Sequence, residues 1–445
     1  MAQSVRAAVA GALAQLHRRQ GYSNIVLDEL LNTTALSDAD RALFSRLFYG
    51  VIERRLTLDE VICRHSSTPV RKMHPLIRET LRVAVYQLLY MDRIPASAAV
   101  NEAVAAIKSL KQGHASGFVN GVLRGILRNK DTLFDHLDDS DHGLSIRYSC
   151  PVELIAFWRS AYGDERLLPL LSSMNGEAPE YIRINTLKIT DEEARMRLQN
   201  AGIDYEQHPV LPHCFLIKNA YLLNKLENGR ENWYYYQDMA SQWSCFALDA
   251  REGERIMDVC AAPGGKSFTT AQYMNDRGRI LACDVYEHKC EAMKRRARHY
   301  GFTVLETAVR DASVPCDASL RGAFDRVICD VPCSGLGVIR RKPEIRYKDL
   351  SALTALPPLQ YTILERSAEL VRPGGILQYS TCTLNPAENE ELVTRFLREH
   401  SDFVPRRLPL DSCFAAAQQP SGHSITLFPD IHGTDGFFIA GLIRK

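Results

Sequence analysis

Apolar residues recur every third or fourth position across roughly the first 130 residues, the period of helices with one buried face. In "SDADRALFSRLFYGVIERRL", Leu43, Leu47 and Val51 repeat every fourth residue, and Phe44 and Phe48 widen the stripe. Ser37 and Asp40 stand where a helix N-terminus is capped. "HPLIRETLRVAVYQLLYM" continues the period behind Pro75, and "IPASAAVNEAVAAIKSLK" and "GFVNGVLRGILRN" extend it. Between about 140 and 235 the texture changes. A helical stretch behind Pro151, "YSCPVELIAFWRSAYG", is followed by the strand-like pieces "EYIRINTL" and "HCFLIKN". From about 236, short apolar runs ("RIMDVC", "RILACD", "TVLETAV", "FDRVICDV", "GILQYST") alternate with helical stretches such as "SFTTAQYM" and "EHKCEAMKRRARHYG". That alternation predicts a mostly parallel sheet covered by helices, with ligands at the carboxyl ends of its strands.

With 445 residues the chain is long enough for two or three domains, expected at 1–138, 139–235 and 236–445. No apolar run reaches about 18 residues, so no membrane span is expected. The first twenty residues lack the order of a signal peptide, and a cytoplasmic protein is expected. The twelve cysteines form no CxxC pair, so reduced thiols are expected and no metal. Net charge is +1, but residues 1–130 hold 18 Lys and Arg against 10 Asp and Glu. A basic front on a mildly acidic body fits an anionic partner.

The candidate chemistry falls at strand ends. "DVCAAPGGKS" (258–267) closes one strand and opens a helix, with Gly264 and Gly265 able to bring backbone close to a ligand and Pro263 stiffening the turn. It is neither GxGxxG nor a phosphate loop. Asp284, Asp311 and Asp330 close the next three strand regions, and Asp284 lies where an acid can take ribose hydroxyls. Two cysteines, Cys333 in "DVPCSG" and Cys382 in "YSTCT", follow strands among small polar residues. A thiolate is a strong nucleophile at ordinary pH, but the residues alone leave open which cysteine acts.

These motifs, "MDVCAAPGGKS", "CDVPCSGLGVIRRKPEIRY", "YSTCTLNPAENE" and "QDMAS", together resemble the Sun/Fmu (RsmB-type) RNA cytosine-5 methyltransferases. "DADRALFSRLFYGVIERR" and "LRVAVYQLLYMDRIPASAAVNEAV" resemble the helical RNA-binding NusB domain, and "DGFFIAGLIRK" resembles the family's closing strands. The resemblance implies an α/β Rossmann-like methyltransferase domain with a mostly parallel sheet, preceded by an all-α NusB-like domain and a small α+β linking region. It implies S-adenosylmethionine as cofactor. Cys260, Ala261, Ala262, Pro263, Gly264, Gly265 and Lys266 would surround its methionine part, Asp284 its ribose and Asp311 its adenine, with Asp330 bordering the methyl group and the target base.

It further implies methyl transfer to carbon 5 of a cytosine in small-subunit (16S) ribosomal RNA; nothing in the sequence demands a dimer, and a monomer is expected. Cys382 would be the nucleophile and Cys333 would assist product release. The family commonly has Ala where Val331 stands and often Ser where Thr383 stands. The run Arg340, Arg341, Lys342, Arg346 and Lys348 is expected to meet RNA phosphates. Lys266 could act near the base or only start its helix. Arg183 and Asn185 could serve RNA contact or interdomain packing. The competing readings are a non-catalytic NusB-like RNA-binding factor and an amino-group methyltransferase. The latter is disfavoured because "DVPC" has a thiol where those enzymes carry an aromatic residue.

Overall fold

The computed structural model describes residues 4–19, 23–33, 36–223, 225–226, 232–410, 413–414 and 422–445. Residues 1–3 and 20 of the expected first helix lie outside these. The chain forms two compact units, one of residues 1–175 with 339–350 and the other of 176–338 with 351–445.

The first unit is helical. Helices Val5–Arg19, Ser23–Thr33, Asp38–Glu53, Arg55–His65, Pro75–Tyr90, Ala96–Ser109 and Ser116–Arg128 bear out the predicted period. Ser37 accepts a hydrogen bond from the Asp40 amide, and Phe44, Leu47, Phe48 and Val51 are buried. The unit continues through helices Asp141–Tyr148, Val152–Tyr162 and Asp164–Ser173. The section expected at 139–235 is therefore divided between the two units after residue 175.

Segment 339–350 returns to this helical unit from the far side of the sequence. Arg346 is buried, and its guanidinium donates to the carbonyls of Glu53 (3.2 Å), Ser149 (3.2 Å) and Met174 (2.9 Å) and to Asn175 Oδ1 (3.0 Å). Those acceptors stand at the C-terminal ends of helices Asp38–Glu53, Asp141–Tyr148 and Asp164–Ser173, where carbonyls lack intrahelical partners and negative partial charge accumulates. Tyr347 donates its hydroxyl to the Ile52 carbonyl (3.0 Å), and the Arg55 guanidinium stacks on its ring at 3.6 Å. Glu344 accepts from the amide and hydroxyl of Ser23. The expectation that Arg346 meets RNA is thus overturned, because its guanidinium is buried and both terminal nitrogens donate to helix ends.

The second unit holds two sheets. Strands β1 (Glu180–Ile184), β2 (Tyr205–Gln207), β3 (Cys214–Ile217) and β4 (Tyr234–Tyr236) form an antiparallel sheet in the order β2-β3-β1-β4. Strands β5 (Arg255–Asp258), β6 (Arg279–Asp284), β7 (Leu305–Val309), β8 (Phe324–Asp330) and β9 (Val371–Thr381) run parallel in the order β9-β8-β5-β6-β7. β10 (Phe403–Pro405), β11 (Ser424–Leu427) and β12 (Phe437–Arg444) complete this sheet, β12 pairing antiparallel with β9. All five predicted parallel strands are present. The order reverses at β5, so the crevice at the carboxyl end of β5 is the ligand position of such sheets.

Arg183 and Asn185, on and just after β1, are fully buried. Arg183 donates to Gln272 Oε1 (2.7 Å) and the Pro212 carbonyl (3.2 Å) and lies 4.8 Å from the Tyr273 ring. Asn185 donates to the carbonyls of Asn232 (2.7 Å) and Tyr300 (2.9 Å). Both residues pack the small sheet onto helices Gly265–Tyr273 and Glu287–Tyr300, which decides for packing between the two readings of this motif. Among the described residues no helix is long and apolar enough to cross a membrane.

Replacing Arg346 by Ala takes hydrogen bonds from three helix ends: the Glu53 and Ser149 carbonyls are left to share the Tyr347 hydroxyl, and the buried Met174 carbonyl loses its donor. The expected cost is about 3 kcal/mol or more in the helical unit, against about 0.5 kcal/mol or less for exposed Lys348→Ala. Amide hydrogen exchange across residues 38–53 and 141–175 reads both.

Candidate active site

A cavity of about 220 Å³ opens at the carboxyl end of β5. The loop after β5 lines it with Cys260, Ala261, Ala262 and Pro263, and helix Gly265–Tyr273 adds Gly265 and Lys266. Asp330, at the end of neighbouring β8, closes the other side. Seven of the ten predicted cofactor residues therefore line one cavity. Gly264, Asp284 and Asp311 do not. Gly264 serves the turn itself, since its φ is +105° and a Cβ there would meet the Phe268 ring at 2.6 Å. Asp284 accepts from the Tyr286 amide (3.1 Å) at the end of β6. Asp311 is exposed just after β7, and the Ser313 hydroxyl and amide hold its carboxyl below the usual carboxylate range.

Sequence reasoning missed part of the lining: Tyr236, Gln237, Asp238, Ser241 and Asp258. The signal for Asp258 was present, because it closes β5 as Asp284 closes β6 and Asp330 closes β8. The other four lie in or beside "QDMAS". Asp258 is buried, its Oδ2 accepts from the Ser267 hydroxyl (2.7 Å), and its Oδ1 makes no hydrogen bond. Burial pushes its carboxyl up to about 7, partly offset by the Ser267 hydrogen bond. Three carboxylates, Asp238, Asp258 and Asp330, thus face the cavity with one ammonium, Lys266. An acid-rich pocket containing an unpartnered buried carboxylate oxygen fits a ligand that carries positive charge, as a sulfonium with an α-amino group does.

Lys266 pairs with Asp330 at 2.7 Å and approaches the Ser241 hydroxyl at 3.4 Å. Burial alone would lower its ammonium, but Asp330 overrides that and holds it above the ordinary lysine range, with smaller contributions from the charges of Cys245 and Cys382. Lys266 is therefore a constituent of the site and does more than start a helix. Ser380 donates to the other oxygen of Asp330 (2.7 Å) across the β8–β9 pairing, in which Asp330 lies opposite Ser380.

That register also unites the cysteines. Because β8 and β9 are parallel neighbours, the chain leaves both at the same edge. Cys333 follows Asp330 by three residues, Cys382 follows Ser380 by two, and their sulfurs meet at 3.2 Å. The Gly337 amide donates to the Cys382 carbonyl (3.1 Å), and a Cβ at Gly337 would lie 1.9 Å from the Gly436 carbonyl oxygen, so only glycine admits this approach. The Cys333 thiol is pushed well above its ordinary range, first by its hydrogen bond with Cys382, then by burial, then by the charges of Cys382 and Glu388. Arg340, Arg341 and Lys342 are half-buried in or beside segment 339–350, outside the cavity lining.

A parallel sheet with its crevice at the strand-order reversal, an acidic pocket there, and two apposed thiols at its edge define a methyltransferase-type domain. The family model described as 16S rRNA methyltransferase RsmB/F matches residues 245–443. The NusB family model matches 3–128, and the ferredoxin-like domain of RsmF/B-like methyltransferases matches 150–224. The chain is 33% identical to the probable ribosomal RNA small subunit methyltransferase B of Bacillus subtilis, covering 99% of each. It is 34% identical to the protein of the same description from Synechocystis sp., covering 97% of each. The crystal structure of PH0851 superposes with a TM-score of 0.81 at 26% identity, covering both chains fully. The chain belongs to the RsmB/F family of S-adenosylmethionine-dependent rRNA methyltransferases.

The raised Asp258 carboxyl sets a pH dependence. Between the ordinary carboxylate range and pH 7 the unfolded chain loses this proton while the folded chain keeps it. Stability therefore falls as pH rises through that window and levels off above it. Asp258→Asn removes this component. Relative to wild type, the variant is expected to gain roughly 3 kcal/mol between pH 5 and 7.5, read by urea unfolding at both pH values. An unchanged difference contradicts it.

Proposed function

We propose that the protein methylates carbon 5 of a cytosine in small-subunit (16S) ribosomal RNA through a covalent adduct between Cys382 and carbon 6 of the base. The observation that carries this reading is the thiol pair at 3.2 Å with opposite charges beside its two members. The Lys266 ammonium interacts with Cys382, and the Glu388 carboxylate acts on Cys333. A thiolate is favoured beside a cation, and a protonated thiol beside an anion. The electrostatics thus support Cys382 as the nucleophile and Cys333 as the partner that keeps its proton.

Addition of the Cys382 thiolate to carbon 6 moves the carbon 5–carbon 6 π electrons onto carbon 5 and toward nitrogen 3, making carbon 5 nucleophilic. Asp330 holds the base edge, and its pairing with Lys266 keeps it beside the cavity. S-adenosylmethionine supplies an electrophilic methyl group when bound. Asp238 and Asp258 would face its positive charge, the Cys260–Gly265 backbone would surround its methionine part, and Asp284 and Asp311 would take its ribose and adenine. After methyl transfer, carbon 5 gives up its proton to water, the carbon 5–carbon 6 double bond re-forms, and the carbon 6–sulfur bond breaks. The protonated Cys333 assists by stabilising the departing Cys382 sulfur through their hydrogen bond.

Arg340, Arg341 and Lys342 are proposed to meet RNA phosphates. Nothing observed favours the non-catalytic reading over this one, since the cavity and both thiols are in place.

Cys382→Ala is expected to abolish transfer of labelled methyl groups to ribosomal RNA, and Cys333→Ala to accumulate a denaturant-resistant RNA–protein adduct. An adduct that accumulates in Cys382→Ala instead reverses the two roles. The double change Arg340→Ala with Arg341→Ala is expected to weaken RNA binding and lower the slope of log affinity against log salt by about 2, and an unchanged slope removes both residues from the interface.

A further inference from the structure

Glu388 lies in the stretch after Cys382 and is fully buried. Its Oε2 accepts from the Ser334 amide (2.9 Å) and from Gln360 Nε2 (2.7 Å), and its Oε1 accepts from Asn385 Nδ2 (2.8 Å). Every one of these partners is an N–H donor, the set that a carboxylate anion uses and a protonated acid cannot use in full. The partners belong to the two cysteine loops. Ser334 follows Cys333, Asn385 stands three residues past Cys382, and the Gln360 amide also donates to the Pro332 carbonyl (2.9 Å), just before Cys333. A second bridge runs in parallel, from Ser334 Oγ to Thr383 Oγ1 at 2.6 Å. A buried carboxylate is expensive relative to a packed apolar side chain, so its retention between two reactive loops asks for a function.

We propose that Glu388 is a positioning residue that ties the Cys333 and Cys382 loops together and, through its negative charge, keeps the proton on Cys333. The proposal rests on the reading of both cysteines as reacting groups. The titratable groups facing Cys333 are the Cys382 thiol at 3.2 Å and Glu388, with the Tyr379 hydroxyl beyond, hydrogen-bonded to the Glu388 carbonyl (2.7 Å). Lys266, the nearby cation, is engaged by Asp330 and acts on Cys382. Glu388 therefore supplies the fixed charge that makes the two thiols unequal from the Cys333 side. An anion there raises the cost of a second anion on Cys333. It leaves Cys382 as the thiolate that attacks and Cys333 as the hydrogen-bond donor that helps it leave.

Peptide-resolved mass spectrometry of iodoacetamide labelling against pH, on the full chain without RNA or cofactor, tests this independently of methyl transfer. In wild type, Cys382 is expected to label at lower pH than Cys333. Glu388→Gln keeps the shape and removes the charge, and is expected to lower the Cys333 midpoint by about one pH unit. Glu388→Asp keeps the charge and is expected to leave that midpoint close to wild type. Equal shifts in both variants, or no shift in Glu388→Gln, overturn the proposal, because a merely structural residue speeds labelling of both cysteines without moving one midpoint. Should Glu388→Gln fail to fold, the wild-type order decides: Cys333 labelling at lower pH than Cys382 overturns it. Loss of methyl transfer to RNA with this labelling pattern intact counts against the proposed reaction and leaves the role of Glu388 standing.

Discussion

A half-buried ion pair between Lys266 and Asp330 organises the candidate site. It joins the helix that starts after β5 to the end of β8, the two strands that border the strand-order reversal. Lys266 and Asp330 are both taken largely out of water, which costs free energy that only close pairing and further hydrogen bonds offset. Ser380 and Ser241 supply those bonds. Fixing Asp330 in this way fixes the strand edge from which both cysteine loops depart. The ammonium also places positive charge on the Cys382 side of the thiol pair. One interaction thus sets the cavity wall, the acid at its rim and the inequality of two chemically identical side chains.

The helical unit depends on a different cation, the buried Arg346. Arg346 belongs to a segment that starts six residues beyond Cys333, yet its hydrogen bonds end on helices near positions 53, 149 and 174. Three helix C-termini converge on one guanidinium, whose fixed fork of donors suits several carbonyls at once in a way a lysine would not. The helical unit therefore needs residues from within the methyltransferase sequence to satisfy its own backbone.

Much of this was legible in the sequence. Helix period, alternating apolar runs and acids at strand ends pointed to the sheet and its ligand edge, because each depends on local pattern, whereas most of the predicted cavity lining came from the family resemblance of the loop after β5. What escaped depends on long-range placement. Arg346 sits in a run of charge that reads as a solvated basic face, and nothing in its neighbourhood signals three distant helix ends. Arg183 likewise looks like a candidate RNA contact until the small sheet docks on helix Gly265–Tyr273. Asp258 was missed although the rule that found Asp284 and Asp330 applies to it equally. The order of the two cysteines could not be read from their flanking residues, which are alike. Once β8 and β9 pair, Lys266 acts on Cys382 and Glu388 on Cys333, an asymmetry that no local pattern carries.

The central claim is that Cys382 forms the bond to the base. The most direct measurement uses ribosomal RNA in which cytosine is replaced by 5-fluorocytosine. Fluorine at carbon 5 cannot leave as a proton, so the adduct persists after methyl transfer and can be digested and mapped. The account predicts that the nucleotide is found on the peptide containing Cys382. A nucleotide on the peptide containing Cys333 would contradict it.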